Sequence, residues 1–458
     1  MTTPPQRPSS QPLVPPRVAL AAIFGTTVEW YDFALYGIAA GLVFNKLYFP
    51  GSSPLVGTIL AFGTFAIGFL ARPLGGAYFG ERGDTKGRKG VLVATLLLMG
   101  LATTGIGLLP TYGHIGIAAP ILLTLLRFVQ GFAAGGEKTG ALILLFENAP
   151  PKRRGLLTSL PAIGTGTGTL LSTGAFAVIT GLVSEDAFLS WGWRIPFLFS
   201  AALTFFGLWV RRALPESPGF QRESVPQAPA PTRSRRRRIA ESRCVTAWRR
   251  YPKEMLIVIG AGAAENAGYY VYGTFSITYA DDRGLATAGL LSGITAISAL
   301  KLITVPAFGA LSDRVGRRPV SLMGAALLLA SAWPFFQIVD TGQTWAIWAA
   351  LLITLGLGQS AILGSQPAFF AELFDASVRF SAVGIANNIG TVLTGGLAPM
   401  LCSALLLWFD HSITGIVIFI ALMSAMTIVT VGLARETRHS LSTVDATPDG
   451  SRDLQQAS

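Results

Sequence analysis

About twelve times along its 458 residues the chain runs apolar for the roughly 20 residues that a helix needs to cross a bilayer. Inside lipid every backbone polar group must be satisfied within its own segment, so such runs can only become helices. The spans read as 17–45, 54–80, 90–110, 116–147, 155–183, 192–213, 254–280, 286–311, 318–338, 343–372, 379–408 and 412–434. With 51% hydrophobic residues, 13% charged residues and a mean hydropathy of +0.53, no polar skin for a soluble globule can be built. The fold class is all-α integral membrane protein with twelve transmembrane helices. Cys244 and Cys402 give no disulfide framework, and His114, His411 and His439 fall at predicted helix ends or in tails. No metal site and no cofactor are expected from them.

The formal charge of +11 is strongly segregated. Placing the N-terminus in the cytoplasm puts loops 81–89, 148–154, 212–253 and 312–318 and the C-terminal tail inside, with nearly all the loop Lys and Arg. The outer loops keep little beyond Lys46 and Arg283. This asymmetry is what the positive-inside rule demands, and it predicts a plasma-membrane protein with both termini cytoplasmic. The N-terminal tail lacks a convincing small-residue cleavage site, so the first run reads as a retained helix. The run RSRRRR, Arg233 to Arg238, suits anionic lipid heads better than nucleic acid, because its linker lies between spans.

An internal repeat sets the organisation. GERGDTKGRK, Gly80 to Lys89, returns as GALSDRVGRR, Gly309 to Arg318, half a chain later. Independently, Glu147 precedes Arg154 by seven residues and Glu372 precedes Arg379 by seven, each pair between the fourth and fifth helix of a half. The chain therefore divides into a tail (1–16), a six-helix bundle (17–213), a linker (214–253), a second six-helix bundle (254–436) and a tail (437–458). In the repeated motif the glycines permit a tight turn, Asp84 is placed to cap the third helix, and Arg88 and Lys89 can reach helix carbonyls or Glu147.

These residues resemble a known family. VEWYDFALYG, ARPLGGAYFGERGDTKGRKG, RFVQGFAAGGE, SWGWRIPFLFS, ESPGF, GALSDRVGRR and AELFDASVRF with the later GGLAP are similar to the major facilitator superfamily, and within it to the metabolite:proton symporter family. WYDF, LYGIAAGLVFN and FLSWGWRIPFLFS are most like shikimate-type carriers. The resemblance covers almost the whole chain and implies two pseudo-symmetric six-helix bundles. It also implies a conformational latch at Gly80, Asp84, Gly87 and Arg88, with Asp313, Gly316 and Arg317 as the counterpart. Thr85 stands where the family usually carries a basic residue, Lys138 where it usually carries an aromatic, and Lys301 is not a residue that the resemblance leads one to expect.

A charge at the bilayer centre costs about 2.5–3.5 kcal/mol on insertion scales, yet Glu29, Asp32, Arg127, Glu137, Lys138, Glu265 and Lys301 fall well inside predicted helices. They should face an internal cavity and pair. A rise of about 1.5 Å per residue puts Asp32 roughly 18 Å and Arg127 roughly 15 Å below the outer ends of their helices, so the two can meet. Glu29 and Asp32 share a face, so either could pair with Arg127 while the other exchanges protons. Glu265 and Lys301 form a candidate pair in the second half. Asn266 and Tyr269, with Gln366 and Asn387 and with Tyr270, Tyr272, Gln359 and Asn388 nearby, offer hydrogen bonds and flat faces to a small polar solute.

The expected function is proton-coupled symport of a small organic anion or zwitterion by alternating access, by a monomer whose partners are substrate, protons and lipid. The alternative is a proton-coupled exporter. PAIGTGTGTLLSTG in the fifth helix, with Pro161 ahead of the glycines, lacks the Gly-Pro pair of superfamily antiporters. An enzyme is not expected, since the chain carries no nucleophile with a base and no HExxH.

Overall fold

The computed structural model describes residues 16–86, 88–136, 142–143, 145–146, 149–212, 243–375 and 378–438. Gly87, Glu137, Lys138 and Glu147 lie outside them, as do the side chains of Asp84 and Arg88. Among the described residues the chain makes twelve helical passes. Seven are long and apolar enough to cross a membrane by length and composition alone, and Val93–Leu108, Ala118–Ala134 and Arg194–Trp209 are apolar but shorter. The first and seventh passes carry the buried carboxylates Glu29, Asp32 and Glu265, which lower their hydropathy. Large apolar side chains such as Leu182, Phe205 and Trp408 stand exposed around the outside, whereas Glu29, Asp32 and Arg127 are buried. That is the inverse of a soluble protein, as a bilayer solvent requires.

The first pass runs Pro16–Ala39, loosens into a π-helical turn at Ala40–Phe44 and ends at Tyr48. The seventh repeats this plan half a chain later, with a π-helical turn at Val271–Phe275 before Ser276–Asp282. The two halves are thus pseudo-symmetric down to an irregularity. The seventh pass also breaks once more, between Pro252–Ala261 and Ala263–Tyr270. Groups freed by this break are satisfied by side chains. Thr427 of the twelfth pass donates to the Gly260 carbonyl (3.0 Å) and accepts from the Ala264 N–H (2.9 Å), while Gln366 of the tenth donates to the Ala261 carbonyl (3.0 Å). Irregular backbone at membrane depth survives only with such partners.

The motif between the second and third passes departs from expectation. The second pass extends through Pro54–Lys86 and the third begins at Arg88, so Gly80 is helical as its span implied, while Asp84, expected in the loop 81–89, also sits inside the helix. Asp84 therefore does not take the N-cap position of the third pass. The fourth pass, expected over 116–147, is the helix Ala118–Ala134 within the described residues. Gly316, by contrast, does make the predicted tight turn, between Ala288–Val315 and Arg317–Asp340, with φ of 121°. A side chain there would be strained by φ and would also meet Glu436 Oε2 at 2.7 Å.

What positions the buried charges is backbone contact between the second and fourth passes. A Cβ on Gly131 would lie 1.8 Å from the Gly68 carbonyl oxygen, and one on Gly135 would lie 2.0 Å from that of Arg72. Small residues let the two helices touch, and Arg72 and Arg127 are carried on the touching faces. Gly131→Ala is expected to destabilise by about 1–3 kcal/mol, the range for overpacking, with a lower melting temperature in detergent. An unchanged melting temperature would mean that the two passes separate without cost.

Candidate substrate and proton site

Four charged side chains converge in the first half. Arg127 is wholly buried, donates through Nη1 to Gln130 Oε1, and has Nε and Nη2 without a hydrogen-bond partner. Its guanidinium lies 4.2 Å from the Phe33 ring centre, 4.4 Å from Tyr36 and 4.5 Å from Phe65. Asp32, also wholly buried, accepts from Ser200 of the sixth pass at 2.8 Å, and its Oδ2 has no partner. Thr103 and Gln130 lie beside the same carboxylate, and Gln130 donates onward to Thr103 at 2.7 Å.

The expected pairing is corrected here. Glu29 does not reach Arg127: it forms an ion pair with Arg72 of the second pass, Nη2 to Oε1 at 3.1 Å, both groups nearly inaccessible. Asp32 and Arg127 are electrostatic neighbours, but each spends its hydrogen bonds on a neutral side chain, Ser200 and Gln130 respectively. Three residues along a helix turn through about 300°, so Glu29 and Asp32 share a broad face and still point to different partners. Arg72 is the residue that sequence reasoning missed. It is the charge within ARPLGG, and the depth test applied to Asp32 would have found it.

In the second half Glu265 and Lys301 are joined through an amide. Lys301 donates to Gln359 Oε1, and Gln359 Nε2 donates to Glu265 at 3.0 Å. Expected as a direct pair, they are separated by a neutral side chain with both a donor and an acceptor to offer. Asn266 and Gln366, expected on the substrate path, give their amide N–H groups to the Gly262 and Ala261 carbonyls at the helix break, because freed carbonyls there need donors. Asn387 is half-buried on Arg379–Thr391.

The halves meet along the centre. Tyr269 hydrogen-bonds Thr169 of the fifth pass at 3.0 Å and packs edge-on against Trp30 at 4.9 Å. Tyr270 lies 5.5 Å from both Phe65 and Phe69. Between the halves remains a cavity of about 10 Å³, lined from both sides by residues including Ala34, Thr169, Tyr269, Thr274, Ser298 and Lys301. That is room for about one water, so this conformation is closed around its centre. Toward the side opposite the chain ends, a Cβ on Gly41 would come within 2.4 Å of Thr278 Oγ1, so the first and seventh passes are in contact there.

On the side of the chain ends a second network crosses between halves. Asp313, at the end of the eighth pass, accepts the Gly155 N–H at 2.8 Å and the Leu156 N–H at 3.0 Å, where the fifth pass begins. Arg317 joins Asp313 (2.9 Å) to Glu372 (3.2 Å). Glu372 also accepts from Thr437 at 2.5 Å, and Glu436 accepts the N–H groups of Arg317 and Arg318 at 2.9 and 3.1 Å. Of the echoed pairs, Glu147 lies outside the described residues; Arg379 donates to the Ala371 and Phe374 carbonyls (2.8 and 3.1 Å), and Arg379 and Arg154 both lie 4.8 Å from the Phe146 ring. Glu436 and Thr437 escaped sequence reasoning because they follow the last helix.

Comparison with known proteins agrees with this architecture. The family model described as Major Facilitator Superfamily matches residues 22–399 and 268–456. The chain is 39% identical over 416 residues to the shikimate transporter of Escherichia coli strain K12, covering 90% of this chain and 93% of that protein. It is 37% identical over 401 residues to the proline/betaine transporter of Salmonella typhimurium, covering 84% and 76% respectively. Its fold is similar to the partially occluded inward open conformation of the xylose transporter XylE from E. coli, with a TM-score of 0.70 at 16% identity over 92% of this chain and 98% of that one. The chain, a multi-pass membrane transporter and not an enzyme, belongs to the major facilitator superfamily, among its metabolite transporters.

Proposed function

We propose that this transporter carries a small organic acid with a proton, by alternating access, with both termini in the cytoplasm. The observation that carries the reading is the pairing of a buried Arg127, two of whose donors are unpartnered, with a buried Asp32 whose Oδ2 is unpartnered. With Asp32 ionised, Glu29, Asp32, Arg72 and Arg127 sum to zero. A proton on Asp32 leaves one positive charge uncompensated in a medium that penalises it heavily, and a substrate carboxylate on Arg127 restores neutrality. Proton and anion thus favour each other's binding, which is the thermodynamic content of coupling.

Across the cavity, Lys301, Gln359 and Glu265 offer hydrogen bonds to the hydroxyls of the solute, and Tyr269 offers a flat face. Hydroxylated cyclic acids suit that surface, and the shikimate transporter is the relative that points the same way. The halves then rock between contact at Gly41 and Thr278 and contact at Asp313 and the fifth pass. Of Glu137 and Lys138, which lie outside the described set, at most one keeps the expected role of lining the path, because neighbouring residues point in different directions on a helix.

Uptake of radiolabelled shikimate, 2-oxoglutarate, citrate, proline and betaine into proteoliposomes tests this, with and without an inward proton gradient. One acid should accumulate, and an uncoupler should collapse the accumulation. Accumulation that ignores the gradient would remove proton coupling. Efflux of hydrophobic compounds, with no acid taken up, would replace symport by export.

A further inference from the structure

We propose that Arg72 forms a second carboxylate-binding position, against the same Phe33 ring as Arg127, which Glu29 occupies as an internal counter-ion while no substrate is bound. The inference rests on the organic-acid reading only for what the natural ligand is.

The geometry is that of a built anion site. Arg72 is 3% exposed, and its guanidinium lies 4.0 Å from the centre of Phe33 and 4.6 Å from that of Phe69. Arg127 lies against the same Phe33 ring at 4.2 Å, so one aromatic side chain serves two buried cations. Ring faces attract cations but do not neutralise them, and buried charges are ordinarily paired. Nε of Arg72 and Nε and Nη2 of Arg127 have no hydrogen-bond partner. Three unpartnered buried donors within one aromatic enclosure suit an incoming carboxylate, which accepts up to four hydrogen bonds and prefers the guanidinium fork.

Glu29 fills part of that need. Its carboxylate meets Arg72 at 3.1 Å, yet Oε1 makes no hydrogen bond of ordinary geometry. An ion pair without that hydrogen bond is what a displaceable carboxylate offers. Glu29 precedes Asp32 by three residues on a pass that starts at the face of the chain ends, so Arg72 and Glu29 sit about 4.5 Å nearer that face than Asp32. A carboxylate leaving Arg127 toward the chain-end side would meet Arg72 next, with Glu29 giving way and then returning to release it.

The experiment uses the full-length protein purified in detergent, with thermal stabilisation measured against sodium benzoate and against benzamide, its uncharged analogue. Glu29→Gln removes the internal anion. Benzoate should then reach half-maximal stabilisation at about tenfold lower concentration than in the wild type, with benzamide unaffected. The gain should vanish in Glu29→Gln combined with Arg72→Gln. Equal benzoate affinity in wild type and Glu29→Gln, or a gain that survives loss of Arg72, overturns the proposal and leaves the pair as a tie between two helices. Should Glu29→Gln fail to fold, Glu29→Asp, shorter by one methylene, should give a smaller gain in the same direction, and no gain overturns the proposal equally. An Arg72-dependent gain in a protein that transports no organic acid would refute the transport reading alone.

Discussion

Replacing Asp32 by asparagine abolishes gradient-driven accumulation while sparing exchange: that is the expected result with the largest effect. The substitution keeps the shape of the side chain and an oxygen able to accept from Ser200, now at 2.8 Å. What it removes is the site that gains and loses a proton. The amide resembles protonated Asp32 in charge, so the cluster holds a permanent surplus from Arg72 and Arg127 over Glu29 and is always poised for an anion. Loaded carrier can still cross in both directions, which is all that counterflow exchange demands. The empty carrier cannot restore neutrality by shedding a proton, so the step that returns it unloaded is blocked. One pH unit across the membrane supplies about 1.4 kcal/mol per proton, or about a tenfold accumulation ratio for one coupled proton. In Asp32→Asn that ratio should fall to about one, whereas labelled exchange against internal substrate should stay within about twofold of wild type. Both are read from the same proteoliposomes. Loss of the protein from the membrane, or loss of exchange along with accumulation, would instead make Asp32 a strut between the first and sixth passes.

Much of the fold is written in the one-dimensional pattern because lipid imposes a length on every helix. The repeat at Gly80 and Gly309 likewise made the two halves legible. Partnerships were a different matter. Asp32 and Arg127 were identifiable as buried charges, but that Ser200 and Gln130 hold them depends on which faces the sixth and fourth passes present, and those faces are set by packing. Gln359 shows the same limit: a neutral amide on the tenth pass acquires meaning only once Glu265 and Lys301 stand on either side of it. The seventh-pass break had a local hint in AGAAENAG, yet the donors that repair it come from the tenth and twelfth passes. Asp313 carries the point furthest. Sequence symmetry marked it as the counterpart of Asp84, but did not show that the helix start it caps belongs to the other half.

That cross-half cap should set the conformational balance. Helix N-termini present unpaired N–H groups and partial positive charge, so a carboxylate there is favoured twice, by hydrogen bonding and by the dipole. Asp313 uses both oxygens on the fifth pass, and this contact must break whenever the chain-end side opens. Asp313→Asn keeps one acceptor oxygen and loses the charge. Arg317 is not stranded by the change, since Glu372 remains at 3.2 Å and Ser312 accepts from it at 2.7 Å. Folding should therefore survive while the closed state weakens. Hydrogen bonds to charged groups are worth about 1.5–3 kcal/mol, so a shift of about 1.4 kcal/mol, tenfold in the ratio of open to closed forms, is within reach. Ser298, which lines the central cavity, supplies a reporter. In a background with Cys244 and Cys402 replaced by Ser, Ser298→Cys should react with an impermeant maleimide from the chain-end side about tenfold faster when Asp313→Asn is added. From the opposite side the same reagent should react more slowly, because a population moved toward one opening leaves the other. Faster labelling from both sides would indicate general loosening, and unchanged labelling from either would leave Asp313 a local brace whose carboxylate does not control access.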